Sequence, residues 1–174
     1  MSSPTSSSAA LPIAYVMLRI LIVVNWLSGA AIVALLVVLP NEQWIMTAFK
    51  LSPSPEAERL VMGLHAIAVL GLAAIPLNYV VLKRLVAIVE TVRADDPFVV
   101  ANASRLQTIA CVLLVLSLLS IAIGAIAKTV STPAHPLHIN AFSINGWLAV
   151  LLTFVLARVF AEGALMREDL EGTV

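Results

Sequence analysis

Leu106-Gln-Thr-Ile-Ala-Cys-Val-Leu-Leu-Val-Leu-Ser-Leu-Leu-Ser-Ile-Ala-Ile-Gly-Ala-Ile-Ala127 is an unbroken run without a charged side chain. A hydrocarbon core of about 30 Å is crossed by roughly 20 helical residues, so this run is long enough to span it. Three similar runs accompany it. Ile13 to Leu39 carries only Arg19, Leu60 to Leu82 carries no charge, and about Ile144 to Phe160 meets Arg158 near its end. Backbone groups in lipid must pair within their own segment, and the alternation of a barrel strand is absent, so all four runs read as helices. Composition agrees. Hydrophobic residues are 61% of the 174 and charged residues 11%, against roughly 45–50% and 25% in average globular chains. With mean hydropathy at +1.04, the predicted fold class is an all-α membrane protein with four transmembrane helices.

The first run is about twice the roughly 7–15 apolar residues of a signal-peptide core, and no small-x-small site precedes Pro40, so it reads as a retained helix. Residues 1–12 read as a polar, disordered tail, and residues 13–174 as a single four-helix domain. Orientation follows from the basic residues. Arg19, Lys83, Arg84, Arg93, Arg105, Arg158 and Arg167 fall on one side, and only Lys50, Arg59 and Lys128 on the other. Both termini, the 83–105 loop and the 161–174 tail are therefore expected in the cytoplasm, an N-in, C-in topology. Ten basic and ten acidic residues cancel, so no net field recruits nucleic acid, and no direct nucleic-acid binding is expected.

The outer loops are short connectors. One holds Ser52-Pro-Ser-Pro55, a stiff turn, and the other Pro133-Ala-His-Pro-Leu-His138. The inner loop has more pattern. Leu85, Ile88, Val89 and Val92 recur at helical spacing while Lys83, Arg84, Glu90 and Arg93 occupy other faces. This predicts an amphipathic cytoplasmic extension between helices two and three. Asp95-Asp-Pro97 then reads as a stop and restart, with an aspartate as N-cap and Pro97 in the first helical turn of helix three.

Sites for chemistry are sparse. His65 lies mid-span with no second histidine at its depth, and reads as hydrogen-bonded to a neighbouring helix. His135 and His138 are separated by Pro136 and lack a carboxylate or cysteine beside them, so no metal is expected. Cys111, the single cysteine, excludes a disulfide framework and reads as a buried, inert thiol. Asn25, Ser28, Asn78 and Thr153 suit hydrogen bonds between helices, Pro76 suits a kink, and Ser117, Ser120 and Gly124 form a stripe for close packing. No nucleophile elbow, phosphate loop or metalloprotease motif is present. No catalytic residue and no cofactor are assigned; the chain reads as a non-enzyme.

Leu85-Val-Ala-Ile-Val-Glu-Thr-Val-Arg-Ala-Asp-Asp-Pro-Phe98, Asn102-Ala-Ser-Arg-Leu106 and the closing Val159-Phe-Ala-Glu-Gly-Ala-Leu-Met-Arg-Glu-Asp-Leu-Glu-Gly-Thr-Val174 resemble one family. It is domain-of-unknown-function family 2975, small four-helix proteins of bacterial inner membranes. The resemblance covers helix two to the C-terminus. Many relatives have glycine where this chain has Asp95. The resemblance implies a multi-pass inner-membrane location, and no activity. Because such proteins are often encoded beside a small helix-turn-helix regulator, it also implies a cytoplasmic partner of that kind.

The family-like residues gather on the inner face. Arg93, Asp96, Pro97, Phe98, Asn102 and Arg105 of the loop, with Glu162, Arg167, Glu168 and Asp169 of the tail, are read as one docked platform. In that reading Arg105 meets Asp169 or Glu162, while Leu165 and Leu170 pack on Leu85 and Ile88. The leading function is a signalling or regulatory membrane protein. The alternative is a small transporter or exporter subunit, which would form a homo-oligomer because four helices enclose little space. A redox protein would rest on unpaired histidines alone. Topology is directly testable: a periplasm-only reporter fused after Val174 is expected to stay silent, and activity there would reverse the assignment.

Overall fold

The computed structural model describes residues 7–38, 55–94, 96–131 and 142–171, and all the regular structure among them is helical. The helices are α1 (Ser7–Val38), α2 (Pro55–Arg93), α3 (Val100–Val130) and α4 (Ile144–Glu171). All four are long and apolar enough to cross a membrane. The outer-loop readings at Ser52–Pro53, His135 and His138, as well as Asp95, fall outside the described residues.

The helices outrun the apolar stretches. α1 starts at Ser7, so the polar lead-in expected through residue 12 is shorter. α2 opens on Pro55 with Glu56 and Glu58 in its first turn, where the ring's fixed φ and the carboxylates suit the positive end of the helix dipole. It continues unbroken to Arg93, making the sequence-predicted extension part of the same helix. Its 39 residues amount to about 58 Å at 1.5 Å per residue, nearly twice the hydrocarbon thickness. α4 likewise carries on through the tail to Glu171.

Each helix packs chiefly on its neighbour in the chain, α1 on α2, α2 on α3 and α3 on α4. The pairings run in opposite directions. Along α1–α2, Asn25 meets Ile75 and Ile32 meets Gly71, while Leu36 reaches Ala68. Along α2–α3, Gly63 faces Val130 and Thr91 faces Asn102. Along α3–α4, Ser117 lies by Gly146 and Phe98 by Gly163. The starts of α1 and α3 and the ends of α2 and α4 therefore share one end of the molecule.

Small side chains make these interfaces. Ala57, Ala68, Ala103, Ala110, Ala127, Ala157 and Ala164 are among the buried residues. Lipid tails are as apolar as leucine, so backbone-close van der Waals packing drives association in a bilayer. Most of the large apolar groups face outward instead, and only 6% of the most apolar window of α1 is covered by protein. Gly124 is buried, and Ser117 and Ser120 line a small α3–α4 pocket with Gly146 and Trp147.

Several polar positions differ from expectation. His65 Nδ1 lies 3.0 Å from Val61 O of its own helix, the i−4 carbonyl toward which a helical side chain leans. Ser28 and Thr153 also donate within their own helices, to Val24 O and Ala149 O. Asn25 does cross: its Nδ2 donates to Ile75 O at 3.1 Å, next to Pro76. Cys111 is exposed on the outside of α3, since Ala110 beside it takes the position against a neighbour, with no exposure at all.

Among the described glycines, Gly63 has the least room for a side chain. A Cβ there would collide with the Val130 side chain, whose Cγ2 would lie 2.8 Å away. Gly63→Ala is expected to lower stability by about 1–3 kcal/mol, the usual cost of overpacking. Thermal melting in detergent checks this, and adding Val130→Ala should recover most of the loss.

Candidate functional site

At the shared end, α2 must give way to α3 within a few residues. Thr91 O receives Ala94 N at 3.1 Å and Asp96 N at 3.0 Å, a six-to-one closure typical of a helix C-terminus. Residues 96–99 are not helical, and α3 starts at Val100 with Val99 as N-cap and no side-chain cap bond. The expected restart at Pro97 with an aspartate cap is thus corrected. The Asp96 carboxylate is turned toward the tail, and the Pro97 carbonyl is engaged elsewhere.

It is engaged by Asn102, the fully buried polar residue of the described chain, at 0% exposure. Its Nδ2 donates to Pro97 O at 2.8 Å and to Thr91 Oγ1 at 2.7 Å. Its Oδ1 accepts Arg105 Nη1 at 2.8 Å. A flipped amide would set oxygen against the Pro97 carbonyl, so the network fixes the orientation. Arg105 Nη1 also reaches Ala87 O on α2 at 3.2 Å, and Thr91 Oγ1 donates to Ile88 O. One side chain thereby holds the end of α2, the connecting turn and the first turn of α3.

The tail is attached to this corner by a charge and a ring. Arg167 of α4 pairs with Asp96, at side-chain exposures of 47% and 40%. Phe98 packs on Phe160 with ring centroids 5.3 Å apart. Gly163 makes room for it: a Cβ there would lie 3.1 Å from Phe98 Cδ1. The remaining helix, α1, joins through Tyr15, whose ring lies under Arg93 at 5.4 Å and Arg19 at 5.2 Å. The Tyr15 hydroxyl also accepts Arg19 Nη2 at 2.7 Å.

The structure thus brings together Arg93, Asp96, Pro97, Phe98, Asn102, Arg105 and Arg167. At the corner Arg105 takes partners other than the sequence-predicted Glu162 or Asp169. Arg105 bonds Asn102 and Ala87 O, being within one helical turn of Asn102, and Glu162 bonds Arg158 one turn away at 2.8 Å. Glu168 and Asp169 lie exposed along the last turns of α4, and Leu165 also faces outward. The packing of Leu165 on Leu85 or Ile88 gives way to the Phe98–Phe160 contact, whose rings reach further. The Leu170 side chain lies outside the described residues. Tyr15, Thr91, Phe160 and Gly163 were not singled out in the sequence, although the aromatic in a basic neighbourhood (Tyr15 beside Arg19) was a signal for one of them.

Magnitudes separate the two ties. A buried polar group stripped of partners costs about 1–3 kcal/mol, whereas an exposed ion pair contributes about 0–1 kcal/mol. Asn102→Ala is therefore expected to destabilise clearly more than Asp96→Ala, measured by melting of each variant in the same detergent. The reverse order would mean that the ion pair holds the corner.

Among the described residues no three His, Cys, Asp or Glu side chains gather as a metal would need. Comparison with curated proteins and with solved structures returned no match. The sequence profile of the family described as "Protein of unknown function (DUF2975)" matches residues 43–174, a stretch that holds the whole Asn102 corner and α4, and the chain belongs to that family.

Proposed function

We propose that this multi-pass membrane protein is a non-enzymatic regulatory component of the bacterial inner membrane. Its Asn102-centred corner and the α4 end would form a cytoplasmic platform for a small helix-turn-helix regulator. One observation carries this reading: side chains of all four helices meet at one end, and that end bears seven of the ten basic residues. The bias of Lys and Arg toward cytoplasmic segments supports placing that end inside. The corner is also over-determined for a mere connector. Its turn is tied by a buried amide, an ion pair and an aromatic contact, which presents Glu168, Asp169, Arg84 and Arg93 from a fixed frame. The partner's class comes from the family resemblance alone.

Purification of the full chain in mild detergent from its native host, with mass spectrometry of what co-elutes, tests the proposal. A small helix-turn-helix protein is expected with the parent, and Glu168→Arg is expected to reduce its recovery at least about tenfold, as loss of one charge-assisted contact at an interface would. Recovery of the chain alone, with the regulator's target genes unchanged on deletion, would overturn it.

A further inference from the structure

Between α3 and α4, just below the corner, lies an open groove of about 440 Å³, within the roughly 300–1,000 Å³ of small-molecule sites. Its floor is made by Ala103 and Ala157, both 8% exposed, where two small side chains leave a depression between the helices. Phe154 walls it toward the bilayer centre, and Ser104, Gln107 and Arg158 line it as polar groups. Arg158 directs its Nε to Glu162 at 2.8 Å. Among the described residues, its two terminal nitrogens have no protein partner. The surface of α4 around this guanidinium is apolar, with Leu151, Leu152, Val155 and Val159 all exposed.

We propose that this groove binds one zwitterionic phospholipid carrying a primary ammonium headgroup. Three features match that occupant. The outer nitrogens of Arg158 offer a fork for the phosphodiester oxygens, with the Ser104 hydroxyl and Gln107 amide as further donors. Glu162, held against Arg158, supplies a carboxylate for the ammonium and brings the local net charge to zero. A doubly charged or purely anionic headgroup would face that carboxylate unpaired. The apolar floor accepts the start of an acyl chain, which a soluble phosphate lacks. An arginine near the end of an apolar run snorkels to the headgroup layer.

The test uses the full chain in detergent, offered equimolar phosphatidylethanolamine, phosphatidylcholine and phosphatidylglycerol, with retained lipid counted by native mass spectrometry. One phosphatidylethanolamine per chain is expected, ahead of the other two, because the quaternary amine has no N–H and the glycerol headgroup no positive charge. Arg158→Gln should cut that retention about tenfold. Ala157→Leu, which fills the floor and leaves the ion pair intact, should cut it similarly, and Glu162→Gln should shift the preference toward phosphatidylglycerol. Equal retention of the three lipids would reduce the groove to ordinary annular contact and overturn the site. So would parent-like retention by variants that melt normally. Displacement of the lipid by glycerophosphoethanolamine alone would also overturn it, by showing a soluble phosphate site.

Discussion

The corner between α2 and α3 depends on one buried amide. Asn102 has no contact with solvent or lipid, and each of its three bonds ends on a different part of the chain. An amide suits the place. A carboxylate cannot donate to the Pro97 carbonyl, and an apolar side chain of the same shape would leave that carbonyl and Thr91 Oγ1 without their donor. Once Pro97 is held, the direction of the turn is settled. Phe98 then points to Gly163 and Asp96 toward Arg167, so the weaker contacts follow from the strong one. Arg105 adds the outer layer, tying Asn102 Oδ1 to the α2 backbone at Ala87.

The attachment of α1 has a different character. Among the described residues its main interface is with α2, made by Asn25 on Ile75 O, by Gly29 against the Ile75 side chain, and by Trp26 beside Tyr79 at 5.6 Å. Hydrogen bonds between membrane helices contribute on the order of 0.6–2 kcal/mol, and cation–π contacts at exposed sites about 0.5–1 kcal/mol. The Tyr15–Arg93 contact is therefore a modest link. The three-helix unit of α2, α3 and α4 is the better braced part, and it is also the part that the family match covers almost alone, since residues 43–174 exclude α1.

The helices themselves were legible from composition, because a span of lipid admits so few solutions that an apolar run of sufficient length names its own structure. Where helices end was less so. Apolarity marks the hydrocarbon boundary, whereas α2 and α4 go on as polar helices through Arg93 and Glu171, and only the spacing of Leu85, Ile88, Val89 and Val92 announced the first of these. The corner residues stood out as a group, but their pairing did not. Complementary charge pointed Arg105 at the acidic tail, while proximity within one helical turn gave it to Asn102. A capping aspartate was a sound local reading of Asp-Pro, yet tertiary contact with Arg167 took the carboxylate away. Burial of Cys111 could not be judged from a run in which every neighbour is apolar, since no hydrophobic period separates the lipid-facing side from the packed side.

The mid-span and the corner use different forces, and the bilayer explains why. Away from the corner, at mid-span, contact is made by shape: Gly29 against Ile75, and Gly71 beside Ile32. In hydrocarbon no solvent competes for apolar surface, so the available gain is dispersion between closely fitted atoms. Near the headgroups water returns, and exposed polar pairs lose most of their worth to it. A hydrogen bond keeps its strength there only when shielded, which is what the complete burial of Asn102 provides. Close to it in sequence and along the facing helix, Val86, Ala103 and Leu106 are buried apolar side chains of α2 and α3, so the packing of two membrane helices goes together with a polar corner that holds a fixed shape.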